Sequence, residues 1–161
     1  MLISPELNAA INEQIGHELH ASHQYVNIAA YFEGRALREL AKMFYKQAEE
    51  EREHAMKFVR YVVEAGGEVA IPAVAVPKAK LGSVEEAVQL SLDWELEVTR
   101  RINALMDLAI QQNDHIGQDF LRWYVTEQLE EVSTMDNLLK VVRQAGEKNL
   151  YMMEAYLSHA D

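Results

Sequence analysis

Residues 37–61 read LRELAKMFYKQAEEEREHAMKFVRY; in alternating steps of three and four they give Leu37, Leu40, Phe44, Gln47, Glu51, His54, Phe58 and Tyr61. That spacing stays on one face of a helix. The face is apolar at both ends, but its middle holds an amide, a carboxylate and an imidazole. Three other stretches repeat the pattern. One runs Leu7, Ile11, Gln14, Glu18, Ala21, Tyr25, Ile28, Phe32, and another Val88, Ser91, Glu95, Val98, Ile102, Leu105. The last runs Leu121, Tyr124, Gln128, Glu131, Met135, Leu138, Val142. Carboxylates are seldom buried unless paired, and an uncompensated one is strongly destabilising. Four of them on four inward faces call for a bound cation.

Local chemistry marks the helix ends. Ser4 and Pro5 suit an N-cap and first helical position, so a first helix is expected to about Phe32, broken at Gly34. A second should span Ala36 to Ala65, ahead of Gly66-Gly67. Ser83 and Glu86 have the spacing of a capping box, which opens a third helix from Val84 to Gln112. Asn113-Asp114 makes a turn, the fourth helix runs from His115 to Ala145 before Gly146, and a short fifth covers Lys148 to Ser158.

The links fix the topology. Two of them are only a few residues long, which makes antiparallel hairpins of the first and second helices and of the third and fourth. The link from Gly66 to Gly82 has 17 residues, two of them proline. At ~3.3 Å per residue it reaches ~56 Å, enough to return along a helix ~45 Å long. The second and third helices can then lie parallel. The expected fold is all-α: a four-helix bundle over residues 4–145 with one long crossover, plus the short helix at 148–158, in a single domain covering 1–161. Glu18, Glu51, Glu95 and Gln128 each lie near the middle of their helices, so all four rows deliver their polar residues to one level.

Composition narrows the function. With no cysteine, disulfides, zinc ribbons and iron–sulfur clusters are excluded. A net charge of −11 argues against nucleic acid, which demands clustered Lys and Arg, and favours cations. No apolar run is long enough for a membrane span, and residues 1–12 show no signal-peptide pattern. The expectation is a cytoplasmic protein with neither membrane nor nucleic-acid partners.

The inward set, Glu18, Tyr25, Glu51, His54, Glu95, Gln128 and Glu131, is the candidate catalytic constellation. Four carboxylates and one imidazole form a hard, anionic pocket suited to iron(II) or manganese(II). Two divalent cations would neutralise it, with Glu51 as the bridging ligand, and di-iron carboxylate bundles use such Glu and Glu-x-x-His arrangements. Tyr25 stands two steps above Glu18, placed to hydrogen-bond a ligand or donate an electron. His17, His20, His23, His115 and His159 fall off the stripes and read as surface. Trp123 and Tyr124 read as the packing around the site.

Glu18 with Tyr25, then Glu51-x-x-His54, Glu95, and Glu127-Gln128-x-x-Glu131 resemble the pattern of the non-haem ferritins of bacteria and archaea, ferritin-like di-iron proteins. The resemblance covers essentially the whole chain, including the long crossover and the short last helix. It implies that Glu18, Glu51 and His54 hold a first iron, and Glu51, Glu95 and Glu131 a second. It also implies a weaker third position at Glu50, Glu127, Glu130 and Glu131, and Gln128 counts among the metal-site residues. Two departures set the chain apart from bacterioferritins. Arg52 stands where those proteins carry a methionine haem ligand, and Glu127-x-x-Glu130 lacks their histidine. No haem is expected.

The function implied is iron storage and detoxification, with ferroxidase activity toward iron(II), dioxygen or peroxide as oxidant, and ferric oxyhydroxide deposited inside a shell. The rival reading is a di-iron oxidase or oxygenase acting on an organic substrate; a purely structural bundle is the third. The last helix carries Leu150, Tyr151, Met153, Tyr156 and Leu157, yet is too short to be stable alone. With the inward faces assigned to the four long helices, its expected partners are other copies of itself around a symmetry axis. The resemblance implies a homo-oligomer of 24 subunits.

Overall fold

The computed structural model describes residues 1–159, so the last two positions of the expected 1–161 domain lie outside the described residues. Four long helices, α1 (Pro5–Glu33), α2 (Arg38–Glu64), α3 (Val84–Gln111) and α4 (His115–Ala145), precede a 3-10 turn at Glu147–Asn149 and a short α5 (Leu150–Leu157). There is no strand among the described residues.

Three starts follow from side-chain caps. Ser4 Oγ accepts the Leu7 amide with Pro5 just inside α1, Ser83 Oγ accepts the Glu86 amide, and Asp114 Oδ1 accepts the Gly117 amide. The capping box at α3 is not reciprocal, however. The Glu86 carboxylate accepts from the Gly82 amide at 2.7 Å and from Lys78 Nζ at 2.6 Å rather than from Ser83 N–H. Helix α2 begins two residues later than expected because Ala36 takes a left-handed φ of 59°, which cannot continue into a helix. Its N-cap, Leu37, has no side-chain cap of its own.

Hydrogen bonds between distant residues trace the path. Leu2 N–H donates to Ala65 O, joining the end of α2 to the start of α1. The crossover then climbs α1, whose amide side chains stand in for a strand. Asn8 and Asn12 donate to Glu68 O at 3.0 and 2.8 Å, and Asn12 Oδ1 accepts from the Ala70 amide. Higher up, Gln24 both donates to Lys78 O and accepts from Lys78 N–H. Between these anchors Gly16 lets the chain come close: a Cβ there would lie 2.7 Å from Pro72 Cγ. Helix α3 thus starts at the far end and returns, so that Ser4 Oγ reaches Gln112 Oε1 at 2.6 Å. It lies antiparallel to α1 and parallel to α2, as the crossover requires.

Two apolar clusters fill the bundle. One gathers Ile28, Phe32, Phe44, Val88, Met135 and Leu138 among others. The other gathers Leu7, Ile11, Phe58, Ile102, Leu121 and Tyr124 among others. Between them runs a buried polar belt.

The last helix departs from expectation. The 3-10 turn replaces its first residues, and α5 packs on its own bundle: Met153 is buried, with Leu150 and Leu157 against the first cluster. The inward faces of the four long helices therefore leave room for it at one end. Glu154 accepts from the Glu39 and Leu40 amides at 2.6 and 3.2 Å, supplying from α5 the cap that α2 lacks. Tyr151, Met152 and Tyr156 remain exposed.

Candidate metal centre

The belt is built where the four rows cross. Glu18 comes from α1, Glu51 and His54 from α2, Glu95 from α3, and Gln128 and Glu131 from α4; all are at most 5 % exposed. Heptad spacing carries them inward, and cross-helix bonds fix the level. Ser22 Oγ donates to Ala48 O, and Tyr124 Oη donates to the His54 carbonyl at 2.7 Å. Tyr124 also stacks on Phe58 at 4.0 Å, so α4 is held against α2 beside the imidazole.

Candidate ligand atoms of Glu18, Glu51 and His54 all lie within 4.8 Å of one another, and so do those of Glu51, Glu95 and Glu131. The two groups share Glu51. A third group joins His54, Glu127 and Glu131. His54 therefore faces two ways, with Nδ1 3.3 Å from Glu51 Oε2 and Nε2 3.7 Å from Glu127 Oε1. Of the outer carboxylates, Glu127 is brought to the belt, Glu50 is half-buried at its edge, and Glu130 is exposed. Glu50 and Glu130 enter none of the three groups.

Hydrogen bonds tie the carboxylates to their surroundings. Tyr25 Oη donates to Glu95 Oε1. Gln128 Nε2 donates to Glu95 Oε2 at 3.2 Å and to Thr99 Oγ1 at 3.1 Å. Gln14 Nε2 donates to Glu18 Oε1 and Gln47 Nε2 to Glu131 Oε2, at 3.0 and 2.7 Å. Both glutamines were visible in the heptad rows, each four residues before an inward glutamate, but their bonding partners were not.

Burial and mutual repulsion hold protons on these groups. Burial, followed by Glu95 and Glu18, raises Glu51 well above the usual carboxylate value. Burial raises Glu95 to about 7 against the opposing hydrogen bonds from Tyr25 and Gln128. Burial, then Glu95, raises Glu131 to about 8. The Tyr25 phenol is pushed well above 10 by burial and then by Glu95 and Glu51, so it remains an O–H donor. Glu18 Oε2 and Glu51 Oε1 are buried without any hydrogen-bond partner. Oxygen ligands clustered at this spacing, anionic once deprotonated and left partly unsatisfied, suit hard divalent cations.

The histidines expected at the surface are there or half-buried. His20 Nδ1 contacts Ala75 O in the crossover, and its ring lies 4.6 Å from that of Trp94. Trp123 sits edge-on to His54 at 5.4 Å, partly exposed, with Lys57 Nζ 3.8 Å above its ring.

A four-helix bundle with clustered carboxylates and an imidazole at mid-height has the architecture in which metal sites are built between facing helices. Comparison with known proteins identifies the family. Residues 8–145 match the ferritin-like domain. The chain is 38 % identical over 156 residues to ferritin BfrB of Mycolicibacterium smegmatis, covering 97 % of this chain and 86 % of that protein. It is 35 % identical over 158 residues to the bacterial non-heme ferritin of Staphylococcus aureus, covering 97 % and 95 %. Its fold superposes on the open-pore ferritin of the hyperthermophilic archaeon Archaeoglobus fulgidus with a TM-score of 0.94, at 33 % identity over 99 % of both chains. The chain belongs to the ferritin family of iron-storage proteins, in its non-haem bacterial and archaeal branch. No helix among the described residues is long and apolar enough to cross a membrane.

Proposed function

We propose that this protein oxidises iron(II) at the belt and stores the product as a ferric mineral. The observation that carries the reading is the pair of ligand groups sharing Glu51. Iron(II) is the substrate. Glu18, Glu51 and His54 hold one ion; Glu51, Glu95 and Glu131 hold the other, with Glu51 between them. Two iron(II) ions, dioxygen and two protons give two iron(III) ions and hydrogen peroxide, and peroxide can serve as oxidant in turn. Tyr25 and Gln128 act on Glu95, the phenol and the amide each directing one carboxylate oxygen. Glu127 and Glu131, with Glu50 and Glu130 alongside, hold a third ion more weakly, because water reaches that edge of the belt. Iron(III) then hydrolyses to oxyhydroxide in a cavity enclosed by 24 subunits. The compartment in this reading is the cytoplasm.

Aerobic addition of iron(II) to the purified protein tests the assignment. Oxidation should run far faster than in buffer and leave an amber product. Glu51→Ala and His54→Ala should each lose the fast phase, and unchanged initial rates in both would refute the site. Sedimentation should show one species of about 440 kDa, the closed-shell expectation for subunits of 18.4 kDa. A monomer at micromolar concentration would remove storage from the reading.

A further inference from the structure

Three of the four belt carboxylates carry an amide, and the fourth does not. Gln14 Nε2 donates to Glu18 Oε1 at 3.0 Å, Gln128 Nε2 to Glu95 Oε2 at 3.2 Å, and Gln47 Nε2 to Glu131 Oε2 at 2.7 Å. Each of these glutamines is buried. Glu51 receives none: its Oε1 has no partner, and its Oε2 faces His54 Nδ1. A buried amide must find hydrogen-bond partners, and being neutral it offsets none of the belt's charge. What it supplies is direction. An N–H on one carboxylate oxygen fixes the group's rotation and leaves the other oxygen to a metal.

We propose that Gln14 and Gln47 are positioning residues that hold Glu18 and Glu131 as one-oxygen ligands of the two metal positions, leaving Glu51, which no amide holds, to bridge. The inference rests on the two-metal reading of the belt. Gln14 reaches Glu18 from one turn earlier on the same helix, so its effect falls on the first position. Gln47 reaches from α2 across to Glu131 on α4. Glu131 lies within reach of two ligand groups, one with Glu51 and Glu95 and one with His54 and Glu127. Its rotation decides which group it serves, and Gln47 fixes that rotation.

Calorimetric titration of redox-inert zinc(II) into the metal-free, full-length assembly tests this, using wild type, Gln14→Met, Gln47→Met and Glu51→Ala. Methionine keeps the length of the side chain and removes the donor. Wild type should take up two ions per subunit, and Glu51→Ala should weaken both sites. Each methionine variant should retain one site at wild-type affinity and lose roughly tenfold or more at the other, the usual effect of removing a partner that orients a ligand. Cobalt(II) gives a second readout. A carboxylate released from its amide can chelate through both oxygens, raise the coordination number and dim the visible bands of one ion only. Wild-type affinities at both sites in both methionine variants, with Glu51→Ala still defective, overturn this inference and leave the two-metal reading standing. Equal weakening of both sites with a lowered metal-free melting temperature also overturns it, since that pattern marks a structural role. Failure of wild type to bind two ions, or of Glu51→Ala to weaken them, removes the two-metal reading itself.

Discussion

Replacing Glu131 with glutamine should stabilise the metal-free protein and flatten its pH dependence. Glu131 is only 4 % exposed, and its carboxyl is raised from 4.5 to about 8, first by burial and then by Glu95. A raised folded-state value gives stability that is fully present below the unfolded value, near 4.5, and lost as the pH climbs through the folded value, near 8. At ~1.4 kcal/mol per pKa unit, the loss relative to acid is about 3 kcal/mol per chain at pH 7 and about 5 kcal/mol above pH 8. Glutamine does not titrate, its carbonyl can still accept from Gln47, and its N–H groups can donate to neighbouring carboxylates. Glu95 is the poorer choice, because both of its oxygens already accept hydrogen bonds, from Tyr25 and Gln128. For a chain of this size, ~2–4 °C per kcal/mol predicts a gain of roughly 6–12 °C in Tm at pH 7. At pH 5 the difference should shrink below about 1 kcal/mol. Calorimetry on chelator-stripped protein at pH 5, 6, 7 and 8 measures both. A Tm difference that does not change with pH, or a lower Tm for the variant at pH 7, would refute the electrostatic account of the belt.

Tyr25→Phe removes the donor on Glu95 Oε1, leaving the Gln128 amide on Oε2, and should slow iron(II) oxidation several-fold while zinc(II) stoichiometry stays unchanged; stopped-flow absorbance and calorimetry separate the two. Glu127→Ala should leave the first oxidation event nearly intact and alter later turnovers, because Glu127 lies outside the two groups that share Glu51. Loss of both tight ions in a titration of that variant would show that it belongs to them. Glu154→Ala strips the α2 N-terminus of the side-chain cap that α5 supplies and should cost about 1–2 kcal/mol. Hydrogen exchange should then quicken at the Glu39 and Leu40 amides, and unchanged protection there would contradict the capping role.

Most of the frame could be read from short-range chemistry. Ser4-Pro5, Ser83 and Gly146 mark helix ends because the groups they satisfy lie within one turn. The polar belt could be read because heptad spacing puts Glu18, Glu51, His54, Glu95 and Glu131 inward whatever their neighbours do. The parts that escaped depend on contacts distant in sequence or on a single backbone angle. The left-handed Ala36 moved the start of α2, and nothing local announces that Glu154 caps it from more than a hundred residues away. The outer carboxylates show the limit of periodicity. Glu127 and Glu130 lie close together on α4, yet a modest helix rotation brings one to His54 and leaves the other in solvent. Gln14 and Gln47 stood on the inward rows, but which carboxylate each amide would meet depends on how the helices pack.

The arrangement of apolar and polar layers explains how such a belt is tolerated. Glu51, Glu95 and Glu131 hold protons more tightly than ordinary carboxylates because burial and mutual repulsion disfavour their ionised forms. Each destabilises the metal-free fold as the pH rises, and the clusters above and below supply the compensating burial. Cations reverse the balance: a metal ion must displace protons from these oxygens, and its binding then becomes folding free energy. In the proposed reaction the displaced protons would appear beside the place where reduction of dioxygen consumes them. The raised carboxylate values thus serve loading and chemistry together. Protonation keeps the empty belt from repelling itself apart, and a bound cation drives deprotonation further than neutral pH does alone.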